Sequence, residues 1–292
     1  MGALRVLKGI LNHPLNRPAR GAALARLIRW QIAARAMPAG IALPFVDDTV
    51  LLTRHGMTGA TGNWYCGLHE PAEMAFVLHM LRPGALFVDV GANIGSYTIL
   101  AAATGADVVA IEPIPATFFR LAANIDLNGF GDRVARFHGG VGDQAGTLRF
   151  TAAHDTMNHV VEDEAGESSI AVEVKPLDTI LDGRRPQLIK IDVEGYELPV
   201  LRGASAAALA DPDLLALVVE TNGSGARYGV DGREIFAFLE RFGFVPAGYD
   251  PFARRLGKAG SGGDNTIFVR DAERVAALCA SAPRYRLVNG TI

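Results

Sequence analysis

Residues 87–98 read Phe-Val-Asp-Val-Gly-Ala-Asn-Ile-Gly-Ser-Tyr-Thr, which predicts a strand that turns through glycine into a helix. The strand is apolar except for Asp89, as is typical of a strand buried on both faces of a parallel sheet. A glycine at the carboxyl end of such a strand, here Gly91, lets the backbone turn tightly and approach a ligand because it has no Cβ. This segment therefore predicts a ligand-binding unit.

Strand-like and helix-like segments alternate along the chain around this unit. The apolar runs typical of buried strands are 86–90, 108–111, 134–137, 188–191 and 215–219. The helical stretches between and after them are 96–103, 115–127, 197–209 and 235–242. This alternation predicts an α/β fold with a doubly wound parallel sheet. Segments 244–248 and 265–269 have only a glycine-rich turn between them and predict an antiparallel pair at one edge.

The predicted organisation has four parts, which are a basic helical N-terminal segment (1–46), a strand pair with a lead-in helix (47–84), a core (85–270) and a C-terminal helix and tail (271–292). In the second part we expect short strands at 49–54 and 63–66, then a helix that begins at Pro71, where its missing N–H costs nothing. Strand-like segments at 147–151 and 170–174 flank a polar insertion, 151–169, which we interpret as a candidate wall of a substrate pocket.

Composition excludes several classes of protein. Hydrophobic residues make up 49% of the chain and charged residues 20%, so the chain is predicted to fold around a core. No apolar run approaches the ~20 residues of a membrane-spanning helix. Cys66 and Cys279 lie far apart and form no CxxC pair, which favours a reducing, cytoplasmic setting. The seven histidines include no HxxxH or HExxH motif, so a zinc hydrolase has no support.

Charge is distributed unevenly along the chain. The net charge of −3 argues against nucleic acid as the main partner. Residues 1–46, however, carry seven Lys or Arg and no acid. Residues 19–37 predict an amphipathic basic helix. This helix could contact an anionic membrane surface, pack on its own domain, or pack on a second subunit in a homodimer, and the sequence leaves all three interpretations open.

Acidic residues follow the next two strands of the predicted sheet. Glu112 ends its strand 21 positions after Gly91, where an acidic side chain can bind both hydroxyls of a ribose. Asp143 follows the third strand and could meet an adenine edge. The three strand ends therefore predict a nucleoside-binding edge.

Two kinds of nucleoside cofactor compete for this edge. A dinucleotide fingerprint needs glycine where this chain has Asn93 and Ser96. A nucleoside without phosphates, such as S-adenosylmethionine, is therefore favoured. The alternatives are a nicotinamide-dependent oxidoreductase, for which a Tyr-x-x-x-Lys pair is also missing, and a non-catalytic module that only binds the cofactor.

Four blocks of sequence together resemble the FkbM-type methyltransferase family, namely residues 87–98, Ile-Glu-Pro at 111–113, Val-Gly-Asp at 141–143 and Leu-Ile-Lys-Ile-Asp-Val-Glu-Gly-Tyr-Glu at 188–197. The last block is the most specific, and the resemblance spans about residues 68–270. It implies a Rossmann-like, class I methyltransferase fold with seven strands and S-adenosylmethionine as cofactor. It also implies methylation of a hydroxyl on a small molecule or glycan.

The resemblance implies that the glycine turn holds the methionine part of the cofactor, Glu112 the ribose and Asp143 the adenine. Glu70, which lies just before the first core helix, is a candidate partner for the cofactor's ammonium group. The full set expected to bind cofactor is Glu70, Asp89, Gly91, Asn93, Gly95, Ser96, Thr98, Glu112, Pro113, Asp143 and Asp192.

Asp192 ends the fourth strand, across the switch point from Gly91. An alcohol acceptor must lose its proton during methyl transfer, and a nearby carboxylate can accept it. Asp192 is the first candidate for this base, followed by Glu194 and His159. Alternatively, Asp192 only orients the cofactor's amino group.

A metal offers another route to the same chemistry. Oxygen atoms of Asp192, Glu220 and Asn222 could hold Mg²⁺, which would lower the pKa of a bound hydroxyl. The main prediction assigns no metal ligand.

Overall fold

The computed structural model describes residues 3–151, 159–161, 169–260 and 263–292. The chain is an α/β protein built on a mixed eight-stranded sheet with helices on both faces. In chain order the strands are β1 (Ile41–Pro44), β2 (Val50–Thr53), β3 (Leu86–Val90), β4 (Asp107–Glu112), β5 (Val134–His138), β6 (Gly140–Val141), β7 (Gly146–Thr151), β8 (Val160–Val161), β9 (Ser169–Lys175), β10 (Leu188–Ile191), β11 (Ala216–Glu220), β12 (Val245–Asp250), β13 (Arg255–Lys258), β14 (Asn265–Val269), β15 (Arg286–Leu287) and β16 (Gly290–Thr291). The α-helices are α1 (Ala3–Asn12), α2 (Arg20–Ala36), α3 (Thr58–Cys66), α4 (Pro71–Met80), α5 (Ser96–Ala103), α6 (Pro115–Leu127), α7 (Leu177–Leu181), α8 (Glu197–Arg202), α9 (Gly232–Glu240) and α10 (Ala272–Ala280).

The central sheet has the order β13-β12-β14-β11-β10-β3-β4-β5. Its strands are parallel from β11 to β5, and β14 runs antiparallel to β11. The predicted doubly wound sheet with an antiparallel edge is therefore confirmed. The predicted count of seven strands is wrong, because the chain turns back after β12 and pairs with it as β13, with Tyr249 opposite Leu256.

Side chains of the central strands alternate between two hydrophobic clusters, one on each face of the sheet. In β3, Phe87 packs in one cluster, whereas Val88 and Val90 pack in the other. Burial on both faces explains why these strands are apolar throughout rather than alternating with polar residues. Asp89 and Lys190 interrupt this pattern, and they are paired residues on neighbouring strands.

A second, four-stranded sheet has the order β6-β9-β7-β8. Its strands β7 and β9 confirm the strands predicted at 147–151 and 170–174. Most of the insertion predicted to form a pocket wall, residues 152–158 and 162–168, lies outside the described residues.

The strand predicted at 63–66 is wrong, because these residues end helix α3. Gly67 closes the helix in a left-handed conformation, and its N–H donates to the Asn63 carbonyl (2.7 Å). The Asn63 side chain then accepts the His69 N–H (2.8 Å), which fixes the turn into α4. The strand predicted at 49–54 is confirmed as β2. Its partner β1 lies in the N-terminal segment that was predicted to be helical.

The helix predicted at 197–209 ends early, at Arg202. A Cβ on Gly203 would lie 2.0 Å from the Gly142 carbonyl oxygen, so the chain passes here against a neighbouring loop. The turns that follow are held by Asp178, whose carboxylate accepts the N–H groups of Ala206, Ala207 and Ala208 (2.8–2.9 Å).

Helix α2 confirms the predicted helix at 19–37 and packs on α3 through a buried arginine. Arg26 is 7% exposed, and its Nη2 donates to Asn16 Oδ1 (2.7 Å) and to the Tyr65 carbonyl (3.0 Å). Burial lowers the pKa of the Arg26 guanidinium. The Asn289 side chain reaches the same place from the C-terminal tail and donates to Asn16 Oδ1 (3.0 Å) and the Cys66 carbonyl (2.8 Å). We call this set of contacts the terminal seam.

Among the described residues, no helix combines the length and the apolar character needed to cross a membrane.

Candidate active site

A cavity of about 440 Å³ opens at the carboxyl ends of β3, β4, β10 and β11. This is the edge at which open parallel sheets bind ligands. Helix α3 and the start of α4 form the opposite wall. The polar residues in the lining are Asn63, His69, Glu70, Asp89, Asn93, Ser96, Tyr97, Glu112, Lys190, Asp192, Glu194, Glu220, Asn222, Asp264 and Asn265.

The glycine turn after β3 forms one side of the cavity. The N–H groups of Gly91 and Ala92 both donate to the Ile111 carbonyl (3.0 and 2.9 Å), which ties the turn to β4. Asn93 adopts a left-handed conformation with φ of +51°, which asparagine tolerates better than most residues. Its Oδ1 accepts the Ile94 N–H (2.7 Å). The turn is therefore held by its own side chains as well as by the sheet.

Glu112 is buried where β4 ends and faces the glycine turn. Its two carboxylate oxygens accept the backbone N–H groups of Asn93 and Ile114, each at 2.9 Å. Burial raises the pKa of Glu112 to about 7, although these two hydrogen bonds work in the opposite direction. The carboxylate is thus held rigidly and sits in a nearly dry part of the cavity.

A buried lysine lies beneath the floor of the cavity. Lys190 Nζ is 2.9 Å from Asp192 Oδ2 and 4.7 Å from the ring centre of Tyr97. Burial works to lower the pKa of Lys190, but the carboxylates of Asp192 and Asp89 outweigh it and the net shift is upward. Lys190 is therefore a fixed positive charge that orients Asp192 toward the cavity floor.

Asp89 lies beside this lysine and is fully buried. Its Oδ2 accepts the Thr98 hydroxyl (2.7 Å), while burial raises the pKa of its carboxyl group. Its Oδ1 has no hydrogen-bond partner among the described residues.

The Glu70 side chain contacts one residue near the beginning of the core (85–270) and one near its end. Its Oε2 accepts the Tyr97 hydroxyl (2.6 Å), and its Oε1 accepts the amide of Asn265 (2.8 Å). Helix α5, strand β14 and the residue before helix α4 are thereby connected at the cavity wall.

The loops after β10 and β11 carry a cluster of acids that we call the carboxylate cluster, made up of Asp192, Glu194 and Glu220. One carboxylate oxygen from each lies within 4.8 Å of the others. Glu194 has a left-handed backbone conformation with φ of +55°, and its pKa is raised to about 7 by burial and by Asp192 and Glu197. The loop that carries Glu194 is fixed by Glu197, whose Oε1 accepts the N–H groups of Val193 (3.2 Å) and Gly195 (3.0 Å).

The structure brings most of the predicted site residues to one cavity. Those in its lining are Glu70, Asp89, Gly91, Asn93, Ser96, Glu112, Pro113, Asp192 and Glu194. Gly95 and Thr98 stand behind the lining, where Gly95 begins helix α5 with φ of +96° and Thr98 supports Asp89. The cavity lining does not include Asp143, which is exposed, or His159, whose N–H donates to Thr151 Oγ1 (3.1 Å).

Sequence reasoning missed six polar residues of the lining, namely Asn63, His69, Tyr97, Lys190, Asp264 and Asn265. Lys190 is a charged residue inside an apolar strand, two positions before Asp192. A lysine is almost never fully buried unless it is paired, so this position alone predicts an acidic partner nearby. Tyr97 and Asn265 gave no such signal, because their roles depend on contact with Glu70 across the fold.

The α/β sheet with its antiparallel edge, the glycine turn after β3 and the acid that ends β4 form a Rossmann-like fold of the class I methyltransferase type. The chain belongs to the FkbM methyltransferase family, since residues 89–246 match the model of the methyltransferase FkbM domain. This match supports S-adenosylmethionine as the cofactor.

Two of the relatives that match this chain are named as methyltransferases. The hexuronic acid methyltransferase AglP of Haloferax volcanii is 33% identical over 121 residues, which cover 41% of this chain and 49% of AglP. The methyltransferase sdnD of Sordaria araneosa is 30% identical over 159 residues, which cover 42% of this chain and 61% of sdnD. The matches thus span about half to three fifths of these relatives. A solved TehB-like SAM-dependent methyltransferase from Corynebacterium glutamicum is 15% identical, with a TM-score of 0.39 over 68% of this chain and 87% of that one.

Proposed function

We propose that this chain is an S-adenosylmethionine-dependent O-methyltransferase that acts on a hydroxyl of a glycan or another small molecule. The proposal depends mainly on one observation, which is that a single cavity has one wall suited to the cofactor and another wall formed by acidic residues. The glycine turn and Glu112 form the first wall, and Asp192 and Glu194 form the second. The similarity to a hexuronic acid methyltransferase supports a carbohydrate acceptor.

The residues of the first wall suit a nucleoside with a zwitterionic tail. Glu112 is a fixed carboxylate that can accept the two ribose hydroxyls, as acids do at the end of a second core strand. The backbone at Gly91 and Asn93 can approach the methionine part closely. Glu70 already accepts two hydrogen bonds, and each of its oxygens keeps a further lone pair for the cofactor's ammonium group.

When bound, the cofactor supplies a methyl group on a positively charged sulfur. The acceptor oxygen forms a bond to that methyl carbon as the carbon–sulfur bond breaks, and the electron pair of the broken bond stays on sulfur. Much of the acceleration can come from holding the oxygen, carbon and sulfur in line. The chain's own task is to hold the acceptor and to take its proton.

Asp192 is our first candidate to accept this proton. The Lys190 ammonium lies 2.9 Å from its carboxylate and holds it in position. Glu194 is the second candidate, because a pKa of about 7 suits a general base that works near neutral pH. His159 is a third candidate and lies outside the cavity lining.

Calorimetric titration with S-adenosylmethionine, and separately with NAD, tests the cofactor. Binding of NAD in place of S-adenosylmethionine would favour the oxidoreductase alternative. The acceptor is tested by incubating the chain with methyl-labelled S-adenosylmethionine and oligosaccharides that contain hexuronic acid. Mild alkali removes methyl esters and leaves methyl ethers, so an alkali-resistant product is expected for transfer to a hydroxyl, and an alkali-labile one would move the reaction to the carboxyl group.

A further inference from the structure

We infer that the carboxylate cluster binds a divalent cation with oxygen-preferring chemistry, such as Mg²⁺ or Mn²⁺. This inference rests on the proposed function for its role, which is to hold the acceptor oxygen, but not for the binding itself. Asp192, Glu194 and Glu220 each bring one carboxylate oxygen within 4.8 Å of the others, and they come from the ends of two neighbouring strands. Hard cations of this kind are bound by such sets of carboxylate oxygens.

Glu220 gives an independent reason to expect a cation. The residue is only 7% exposed, no N–H or O–H donor of the described residues reaches its Oε2, and its carboxyl group lies beside the carboxyl group of Glu197. Its other oxygen accepts the amide of Asn222 (2.7 Å), which holds the carboxyl group in one orientation at the cavity wall. A buried carboxylate oxygen without a partner costs free energy unless a proton or a cation satisfies it.

The charges of the cluster fit a divalent ion. The one Lys190 ammonium lies between Asp192 and Asp89, so the three carboxylates of the cluster keep a net negative charge of at least two when all are ionised, which favours a cation there. The rival explanation is that Glu220 and the adjacent Glu197 share a proton, and the experiment separates these two occupants.

A bound cation would give the cluster a defined task. It would hold the acceptor hydroxyl and lower the pKa of that hydroxyl, so that its proton leaves to solvent as the oxygen takes the methyl group, and Asp192 would then hold the cation instead of accepting the proton. The acceptor would thus be positioned by its oxygen atoms, which favours an acceptor with two neighbouring oxygens, as in a sugar.

The test uses the full chain, stripped of metal with EDTA and titrated with Mn²⁺ while free Mn²⁺ is followed by electron paramagnetic resonance. We expect one bound Mn²⁺ per chain and at least about tenfold weaker binding in E220Q and in E194Q, each of which removes one carboxylate ligand. The matched control E73Q removes a half-buried carboxylate outside the cavity lining and should bind Mn²⁺ as the parent does. E194Q alters a half-buried loop residue, so it keeps the test valid if E220Q does not fold.

The outcomes separate the inference from the proposed function. If the folded parent leaves all Mn²⁺ free, or if E220Q and E194Q bind it as well as the parent, the cation site is overturned even when S-adenosylmethionine binds. If Mn²⁺ binds but S-adenosylmethionine does not, the cation site stands and the proposed function fails.

A different observation carries a second inference, that the outer face of helix α2 rests on an anionic membrane surface. Leu24, Ile28 and Ile32 lie four residues apart, so they share one face of the helix, and they are 39%, 51% and 67% exposed. The opposite face is buried against the rest of the chain through Ala23, Arg26, Trp30 and Ala34. Contacts within the chain therefore bury one face of helix α2, but they leave exposed the apolar stripe formed by Leu24, Ile28 and Ile32.

Charge favours a lipid surface over a second copy of the chain as the occupant. Arg20, Arg29 and Arg35 are exposed beside the stripe, and residues 1–46 contain no acid. A symmetric dimer through this face would bring these arginines together, whereas anionic headgroups would pair with them. On such a surface the apolar stripe would face the acyl chains and the exposed arginines would lie among the headgroups.

Co-sedimentation with vesicles tests this surface. We expect the parent to sediment with equimolar phosphatidylglycerol and phosphatidylcholine and to stay in solution with phosphatidylcholine alone. The variant I28D/I32D should lose most of this binding, while F119D, which changes an exposed apolar residue on helix α6, should keep it. Equal sedimentation of I28D/I32D and the parent would overturn the inference, as would a dimer in light scattering that I28D/I32D dissociates.

Discussion

The carbonyl oxygen of Asp192 occupies the space where a side chain at position 91 would begin, since a Cβ built on Gly91 would lie 1.9 Å from it. The two residues follow neighbouring strands β3 and β10, and the Asp192 N–H donates to the Val90 carbonyl (3.0 Å). Gly91 also has a φ of +78°, which favours glycine. The proposed cofactor turn and the proposed base are therefore held in contact by backbone atoms.

This contact predicts that G91A is strongly destabilised. The added methyl group meets a backbone oxygen that cannot rotate away, so the loss in unfolding free energy should exceed about 2 kcal/mol, with loss of S-adenosylmethionine binding. Chemical denaturation measures the first effect and calorimetry the second. The matched control is G129A, where φ is +68° and no atom lies within 4 Å of the new Cβ, so its cost should stay near 1 kcal/mol. Equal losses in both variants would mean that the contact with Asp192 is unimportant.

The raised pKa of Glu112 predicts that the free energy of unfolding depends on pH, and the variant E112Q should lack this dependence. Its pKa rises from 4.5 in the unfolded chain to about 7 in the folded protein. The folded protein therefore favours the protonated form, and its stability is complete below about pH 4.5 and falls as the pH rises to 7. From the size of the shift, the parent should lose on the order of 3 kcal/mol relative to E112Q between about pH 5 and pH 8. Denaturation curves of both proteins at the two pH values measure the difference, and a constant difference contradicts the prediction.

The same residue predicts how cofactor affinity changes with pH. Ribose hydroxyls donate to a carboxylate, so binding of S-adenosylmethionine should favour the ionised form of Glu112. We expect calorimetry to give tighter binding to the parent at about pH 8 than at about pH 5, and little change with pH for E112Q. A parallel pH dependence in both proteins would remove Glu112 from the ribose site.

Glu70 predicts a selective effect on cofactor binding. In E70Q the side chain keeps one acceptor for the Tyr97 hydroxyl but loses its charge, so affinity for S-adenosylmethionine should fall about tenfold, or 1.4 kcal/mol. Affinity for the cofactor analogue that lacks the amino group should hardly change, because the lost attraction is to the ammonium. E73Q, one turn further along helix α4 and outside the cavity lining, serves as control. If both ligands lose affinity equally, the role of Glu70 is structural.

Asp178 predicts a loss of stability without a change in the cavity. Its carboxylate accepts three backbone N–H groups from residues 206–208. D178A leaves these donors without their partner and should cost about 2 kcal/mol or more in unfolding free energy. D178N retains one acceptor oxygen and should cost less. Calorimetric affinity for S-adenosylmethionine should match the parent in both variants, and a D178A variant as stable as D178N would contradict this account.

Sequence reasoning located the central sheet because its strands are buried on both faces and therefore read as continuous apolar runs. It failed where tertiary contacts decide the structure. Trp64 and Tyr65 favour a strand by residue type, yet they lie in helix α3 and pack against the N-terminal helices. Asp143 follows its strand as expected, but β6 pairs with β9 of the second sheet and leads the chain away from the cavity.

Site residues at the ends of strands could be predicted from the sequence, whereas side-chain contacts between distant segments could not. Glu112 and Asp192 could be placed because the carboxyl ends of parallel strands meet at one edge. Glu70, Asp89 and Thr98 could be named, but the contacts of Tyr97 with Glu70 and of Thr98 with Asp89 could not, because packing sets the orientation of helix α5. The eighth strand escaped prediction because Arg255–Lys258 is largely exposed and carries no apolar signal.

The terminal seam has a consequence for how ligands enter and leave. Helix α3 is both a wall of the cavity and the surface on which the first helices and the last loop of the chain meet, through Arg26, Asn16 and Asn289. These contacts join neutral amides and carbonyls to one arginine, so salt will loosen them little. We therefore expect removal of helix α1 or of residues 286–292 to loosen this wall and to shorten the time for which S-adenosylmethionine stays bound.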